Sequence, residues 1–391
     1  MASSFILLAM LAVASYTVLA QIPLEQRQYR IVKLDGLGGN SGGISVNNRG
    51  WVMGSSNDAA NQITQAVIWV NNELKPLGTL GGPNSAIVFP VKNNRGIISG
   101  VAETSQKNLL NEVWSCNAFF VGDPSFNVCV GFRWENGVMT PLPVFPGGYN
   151  GFASAANNQG QIVGWAENGV HDPTCVAPQV LQFRAAVWGP KGDQMSELTP
   201  LYNDSTSAAT AINDKGQVVG ISGACGSAVG AFSAKHMVLW EDGKATEIPN
   251  LGGAAWNTPT AINEQGTVVG FSNYRASDGG TFNEHAFVWT KEGGTKEIMP
   301  INDSSGQDTR SQGLGINSRG QIVGLSRRGS VRRAFIYENG AVLDLNKLVE
   351  PGFADVLRFA NDINEKGEIT GQARSSTGQF YAFLAIPVVK Q

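Results

Sequence analysis

The stretch Ala211-Ile212-Asn213-Asp214-Lys215-Gly216-Gln217-Val218-Val219-Gly220 decides the fold of this chain. Fifty residues on it returns as Ala261-Ile262-Asn263-Glu264-Gln265-Gly266-Thr267-Val268-Val269-Gly270. The shared phrase is Asn-x-x-Gly-x-φ-φ-Gly, with φ mostly apolar. Asparagine suits the first position of a type I turn, because its side chain bonds the backbone two residues on. The glycine that follows takes the left-handed position of a three-residue hairpin loop. A β-branched pair fits a pleated strand. The second glycine is expected to end that strand or to let another backbone approach closely. The phrase therefore reads as strand, tight hairpin, strand.

The same phrase starts at Asn47, Asn93, Asn157, Asn213, Asn263, Asn317 and Asn364, and its first glycines are 46, 64, 56, 50, 54 and 47 residues apart. A second phrase follows in each unit: a small residue, two mostly apolar residues and an aromatic, which the seventh copy, Ala382-Phe383-Leu384, lacks. Examples are Ala66-Val67-Ile68-Trp69, Ala185-Ala186-Val187-Trp188 and Ala286-Phe287-Val288-Trp289. A polar turn and a last apolar strand complete the unit. Each unit thus predicts four short strands, A to D. Strand C is apolar on both faces, so each sheet must be sandwiched between neighbours. A period near fifty residues indicates a propeller or array rather than separate domains. The expectation is an all-β chain: a single domain over 21–391, folded as a seven-bladed β-propeller of four-stranded blades. Tyr29–Leu34 reads as a D strand with no partners before it, and the chain stops soon after Ala382-Phe383-Leu384. The N-terminal strand is therefore expected to complete the last blade.

Composition fits this reading. Of 391 residues, 48 are glycine and 15% are charged, against roughly 25% charged in an average domain. The formal net charge of −3 argues against a nucleic-acid binder, which needs a basic face. Residues 1–20 carry no charge, hold an apolar run from Phe5 to Ala14 and end in Val18-Leu19-Ala20, as a signal peptide does. No later stretch has about 20 uninterrupted apolar residues, so no membrane span is expected. Export makes four cysteines legible as two disulfides. All four fall between the B and C strands: Cys116 and Cys129 share one connection, and Cys175 and Cys225 lie in adjacent ones. The expected pairs are Cys116–Cys129 and Cys175–Cys225. Asn203-Asp204-Ser205 and Asn302-Asp303-Ser304 are N-glycosylation acceptors.

With Leu-Gly-Gly at 80–82 and 251–253, Ile-Asn-x-x-Gly-x-Val-Val-Gly and Ala-Phe-x-Trp in place, the units resemble the HAF-repeat family of extracellular repeat proteins. The family triplet stands here as His285-Ala286-Phe287, and the likeness covers residues 29–386. It implies export and a repeat fold, and brings no catalytic or binding residues with it. Elsewhere the first triplet position is Gln65, Arg184, His236, Arg333 or Tyr381, so the histidine is no universal ligand.

The A–B turns are uniformly tight, whereas the B–C connections vary in length. Variation on one face marks the candidate binding face. Tryptophans 69, 134, 188, 240 and 289 fall in strand C and read as core. Trp114, Tyr149, Trp165, Trp256 and Tyr274 map to the loop face, where aromatics suit stacking on sugars or anchoring a partner. No catalytic motif is present, and no metal or cofactor is expected. Acids on the loop face (Asp58, Glu103, Asp123, Glu167, Asp172, Glu284) read as solvated surface groups. The oxygen-rich run Asn302–Asp308 misses the calcium-loop spacing. The reading is a secreted monomer that binds an extracellular glycan or protein without catalysis. The alternatives are a structural component of a matrix or coat, and a propeller glycoside hydrolase or lyase.

Overall fold

A computed structural model describes residues 27–112, 116, 119–120, 125–191, 194–226, 233–274 and 283–390. The expected leader, Trp114 and Asp123 lie outside them. Seven antiparallel four-stranded sheets form the blades of a propeller. Blade 4 is typical, with strand A at Thr206–Ile212, B at Val218–Gly223, C at His236–Glu241 and D at Lys244–Ile248. Blade 7 joins A (Val356–Ile363), B (Ile369–Arg374) and C (Phe380–Val389) to the N-terminal strand Arg27–Leu34 as its D. That strand runs in register with C from Arg27↔Val389 to Leu34↔Ala382, so the expected closure is present. A two-residue ribbon (Asn302–Asp303 with Gly306–Gln307) and a 3-10 turn (Leu345–Leu348) decorate the D–A connections on either side of blade 6. Among the described residues, no helix is long and apolar enough to cross a membrane.

The repeated asparagine does more than set a turn. Asn213 Oδ1 accepts from the amides of Lys215 (3.1 Å) and Gln217 (3.0 Å), which fixes the hairpin. Its Nδ2 donates to the Asn263 carbonyl of the next blade at 3.0 Å. The same clasp joins Asn157 to Asn213, Asn263 to Asn317, Asn317 to Asn364 and, across the closure, Asn364 to Asn47.

The two glycines have separate causes. Gly216 sits at φ +79°, the left-handed position that the turn requires. Gly220 lies inside strand B rather than at its end, opposite a β-bulge between Ala209 and Ala211 of strand A. The bulge pushes a carbonyl towards it: a Cβ on Gly220 would stand 2.1 Å from the Ala208 oxygen. At Gly54, Gly100, Gly164, Gly270, Gly324 and Gly371 the same distance is 1.9–2.2 Å. The residue in the bulge then clasps the neighbouring blade: Ser154 Oγ donates to Ala209 O (2.7 Å), Thr260 Oγ1 to Gly313 O (2.8 Å) and Asn361 Nδ2 to Gly43 O (2.7 Å).

The strand C tryptophans are core, as expected: Trp69, Trp134, Trp188, Trp240 and Trp289 are all buried. Three of them spend their indole N–H on the chain entering their own blade, bonding Asp35 O, Pro143 O and Thr199 O at 2.7–2.8 Å. Near the axis, blade 2 reaches across the molecule. Lys92 pairs with the fully buried Asp362 at 2.8 Å and donates to the carbonyls of Ile316 and Ile363. Asp362 is satisfied further by Ser45 Oγ and Val46 N.

Candidate functional site

The two ends of the propeller axis differ. At the turn face, the second residues of the seven turns form a ring around a cavity of about 260 Å³. Six of the seven backbone amides are taken by the next side chain: Asn48 N by Asn94 Oδ1 (3.0 Å), Asn94 N by Asn158 Oδ1 (2.8 Å), Asn158 N by Asp214 Oδ1 (2.7 Å) and Asp214 N by Glu264 Oε1 (3.0 Å). Ser318 N goes to Glu365 Oε1, and Glu365 N returns to Asn48 Oδ1, both at 2.9 Å. The carboxylates here hold blades together, which accounts for them without a ligand.

On the loop face, the described connections of blades 2 to 4 are stapled down. Two disulfides, Cys116–Cys129 and Cys175–Cys225, form as expected. The first staples the blade 2 connection to strand C (Asn127–Glu135), so Cys129 stands in a strand rather than a loop. The second joins the connections of blades 3 and 4. Asp172 lies beside Cys175 and Cys225, but both sulfurs are spent on the disulfide, so this cluster is no metal site. Beneath the staples lies an aromatic layer: Phe119 on Phe152 (4.9 Å between centroids), Phe152 on Trp165 (6.4 Å) and Trp165 against Phe183 (5.6 Å).

This arrangement relocates the expected aromatics. Strand B of blade 3 runs on to His171, so Trp165 sits in a strand, 2% exposed, as core for the loops above it. Tyr149 is half-buried in a D–A connection, with its backbone amide on Glu167 Oε2. Tyr274 is half-buried and stacks on His285 at 4.9 Å. Trp256 lines a pocket. Its neighbour Asn257 fixes it, donating from Nδ2 to the carbonyls of Lys235 and Gly253 and accepting from Ser272 Oγ. Trp256 itself is held at φ +62°, which costs a non-glycine residue about 1–3 kcal/mol.

The acids expected on the surface are mostly inside, because strands B extend further than a loop reading allows. Glu103 is fully buried between Asn84 Nδ2 and Asn127 Nδ2, each at 2.8 Å. Glu167 is fully buried on the amide of Asn150 and on Gln179 Nε2. Asp172 is buried, with Thr174 N and Oγ1 on its Oδ1. Asp58 is half-buried and caps its own hairpin through Gln62 N and Ile63 N. In the run Asn302–Asp308, Asp303 and Asp308 grip Arg333, which accounts for its oxygens. The first triplet residues act likewise as anchors: His236 holds Asp204, His285 holds Glu297, Arg184 holds Glu197 and Tyr381 holds Asp355.

The pocket at Trp256 has a volume of about 180 Å³ and is lined by Glu284, Gln312, Leu325, Arg327, Arg332 and Phe359. Glu284, at the head of strand C of blade 5 (Glu284–Thr290), is 2% exposed. Its Oε1 accepts from Arg327 Nη2 (3.1 Å) and Gln312 Nε2 (3.2 Å). Its Oε2 accepts no hydrogen bond and stands 3.9 Å from Arg310 Nη1. Arg327 Nε is likewise without an acceptor. The arginines were not singled out from the sequence. A signal existed: Arg327 and Arg374 stand three residues after the strand B glycine, where Glu103 and Glu167 stand in blades 2 and 3.

The profile of a family described as "Protein of unknown function (DUF3466)" matches residues 254–382. That segment holds the pocket. No curated protein matches the chain. Among solved structures it is similar to an acylaminoacyl peptidase from Pyrococcus horikoshii, at 9% identity and TM-score 0.50 over 88% of this chain and 51% of that one. The chain therefore spans about half the length of that peptidase. It is also similar to the β-propeller domain of the Trilobed protease from Pyrococcus furiosus (9% identity, TM-score 0.49, 90% and 94% covered). A third likeness is to an oligogalacturonate lyase from Vibrio parahaemolyticus (9% identity, TM-score 0.48, 93% and 92% covered). At such identities the likeness speaks to fold alone.

Proposed function

We propose that this protein is a secreted, monomeric propeller of HAF-type repeats that binds an extracellular glycan without catalysis, at the Trp256 pocket. The observation that carries this reading is the lining itself. Two half-buried aromatics, Trp256 and Phe359, share one small concavity with Gln312, Glu284 and Arg327. Apolar ring faces with a few convergent polar groups suit a sugar, whose faces are apolar and whose edges carry hydroxyls. Secretion is supported by the uncharged apolar leader and by two disulfides. Asn203 and Asn302 are exposed, and we propose both as N-glycosylated. Glycoside hydrolysis requires two carboxyls facing each other across the bond. Among the described residues Glu284 is the one carboxylate lining this pocket, which favours binding.

The test is a glycan array probed with the secreted protein, followed by titration of any hit. Trp256→Ala is expected to weaken binding at least tenfold. Trp51→Ala, on the opposite face, leaves it unchanged. A blank array sinks the glycan reading, and full affinity in Trp256→Ala removes the site from this pocket.

A further inference from the structure

Resting on the glycan reading above, we infer that the pocket selects an acidic saccharide, one bearing uronate carboxylates, through an arginine rim contributed by blades 6 and 7. Arg327 and Arg332 line it, and three further arginines stand on the strands around it. Arg310 opens strand A of blade 6 (Arg310–Ile316), Arg327 is the penultimate residue of its strand B (Ile322–Arg328) and Arg332 the second of its strand C (Val331–Glu338). Arg358 and Arg374 come from strands A and B of blade 7. Glu284 occupies Arg310 and Arg327. Among the described residues no carboxylate pairs with Arg332, Arg358 or Arg374.

Arg332 and Arg358 are nonetheless held together. Arg332 lies over the Phe359 ring at 5.2 Å, and Arg358 lies between Phe359 (5.8 Å) and Phe380 (4.8 Å). Burial, followed by the charges of Arg332 and Arg374, pushes the Arg358 guanidinium below its usual range. A guanidinium stacked on a ring keeps its N–H edge free for a carboxylate, which it binds bidentately. Like charges fixed side by side on aromatic supports favour an anion arriving between them. Glu284 is buried beneath them and spent on Arg310 and Arg327, so the charge left for a ligand is that of Arg332, Arg358 and Arg374. An acidic peptide would answer the arginines but bring no pyranose ring to the aromatic lining of the pocket.

The experiment is isothermal titration with a β-1,4-linked glucuronic acid tetrasaccharide and with its carboxyl-reduced counterpart. The uronate form is expected to bind at least tenfold tighter, and more weakly as salt rises. Arg332→Ala and Arg358→Ala, checked for an unchanged melting temperature, should each erase most of that preference. Arg332→Lys should restore only part of it, since lysine lacks the stacked fork. Equal affinity for both sugars overturns the acidic selectivity and leaves the glycan reading standing. Binding of neither sugar, with a blank array, removes both. A tetraglutamate peptide binding as tightly as the uronate overturns the saccharide class.

Discussion

Asn213 shows how one side chain can write both a turn and an assembly. Its oxygen faces inward to two amides of its own hairpin, and its nitrogen faces outward to the Asn263 carbonyl. Aspartate would satisfy the turn as well, so the recurrence of asparagine reports the second contact. Each neutral hydrogen bond contributes about 1 kcal/mol net. Asn213→Ala should therefore lower unfolding free energy by about 2–3 kcal/mol, and Asn213→Asp by about 1 kcal/mol, in urea titrations followed by tryptophan fluorescence. An Asn213→Asp variant as stable as the wild type would mean that the inter-blade clasp contributes nothing. The turn role was legible in the sequence because it is local. The clasp was not, because its acceptor lies 50 residues away and only blade stacking brings it within reach.

The long connections of blades 2 and 3 are held as a unit by two buried carboxylates. Glu112 accepts from the amides of Val180 (2.8 Å) and Leu181 (2.6 Å), and Gln179 Nε2 lies between Glu112 (3.4 Å) and Glu167 (3.0 Å). Burial first, and then the neighbouring Glu112, raise Glu167 from an ordinary 4.5 to about 7. The folded chain thus keeps a proton that the unfolded chain releases. The resulting stability is complete below pH 4.5 and is lost as pH rises through about 7. A shift of that size corresponds to about 3 kcal/mol. The melting temperature should therefore fall between pH 5 and pH 8 in a differential scanning series, and Glu167→Gln should flatten that fall. A wild-type curve that rises over this interval would place the proton elsewhere. Nothing in the sequence pattern points to this pair. Glu103 and Glu167 read as loop acids only because the Gly-φ-Ala-Glu stretch was ended at its glycine, while the strand continues past it. The A-strand bulge, not a strand end, is what that glycine answers to.

Over the whole molecule, the fold was more legible than the site. Repeats announce themselves through local phrases, so blade number and strand order are legible from Asn47 through Asn364, and closure from Tyr29–Leu34 set against Ala382-Phe383-Leu384. The arginine rim is not, because Arg310, Arg327, Arg332, Arg358 and Arg374 are scattered along two units and come to neighbouring strands only through the fold. Net charge concealed it as well, since −3 for the chain says nothing about one rim. Closure itself is testable. The strand Arg27–Leu34 gives blade 7 its fourth member, buries Tyr29 and Leu34 to 1% exposure, and ties to blade 6 through Arg27–Glu338 at 2.7 Å. Without it, strand C of blade 7 becomes an unpaired edge open to another chain. Losing two buried side chains of this size costs roughly 5 kcal/mol or more, comparable with the 5–15 kcal/mol that a typical domain has in total. A chain starting after Leu34 should therefore melt without a cooperative transition and self-associate in sedimentation runs. A synthetic peptide of residues 27–39 added in trans should restore the monomer and the transition, because everything that strand contributes is recognition of an edge already in register. A truncated chain that stays monomeric with an unchanged melting temperature would mean that the ring is held by its inner clasps alone.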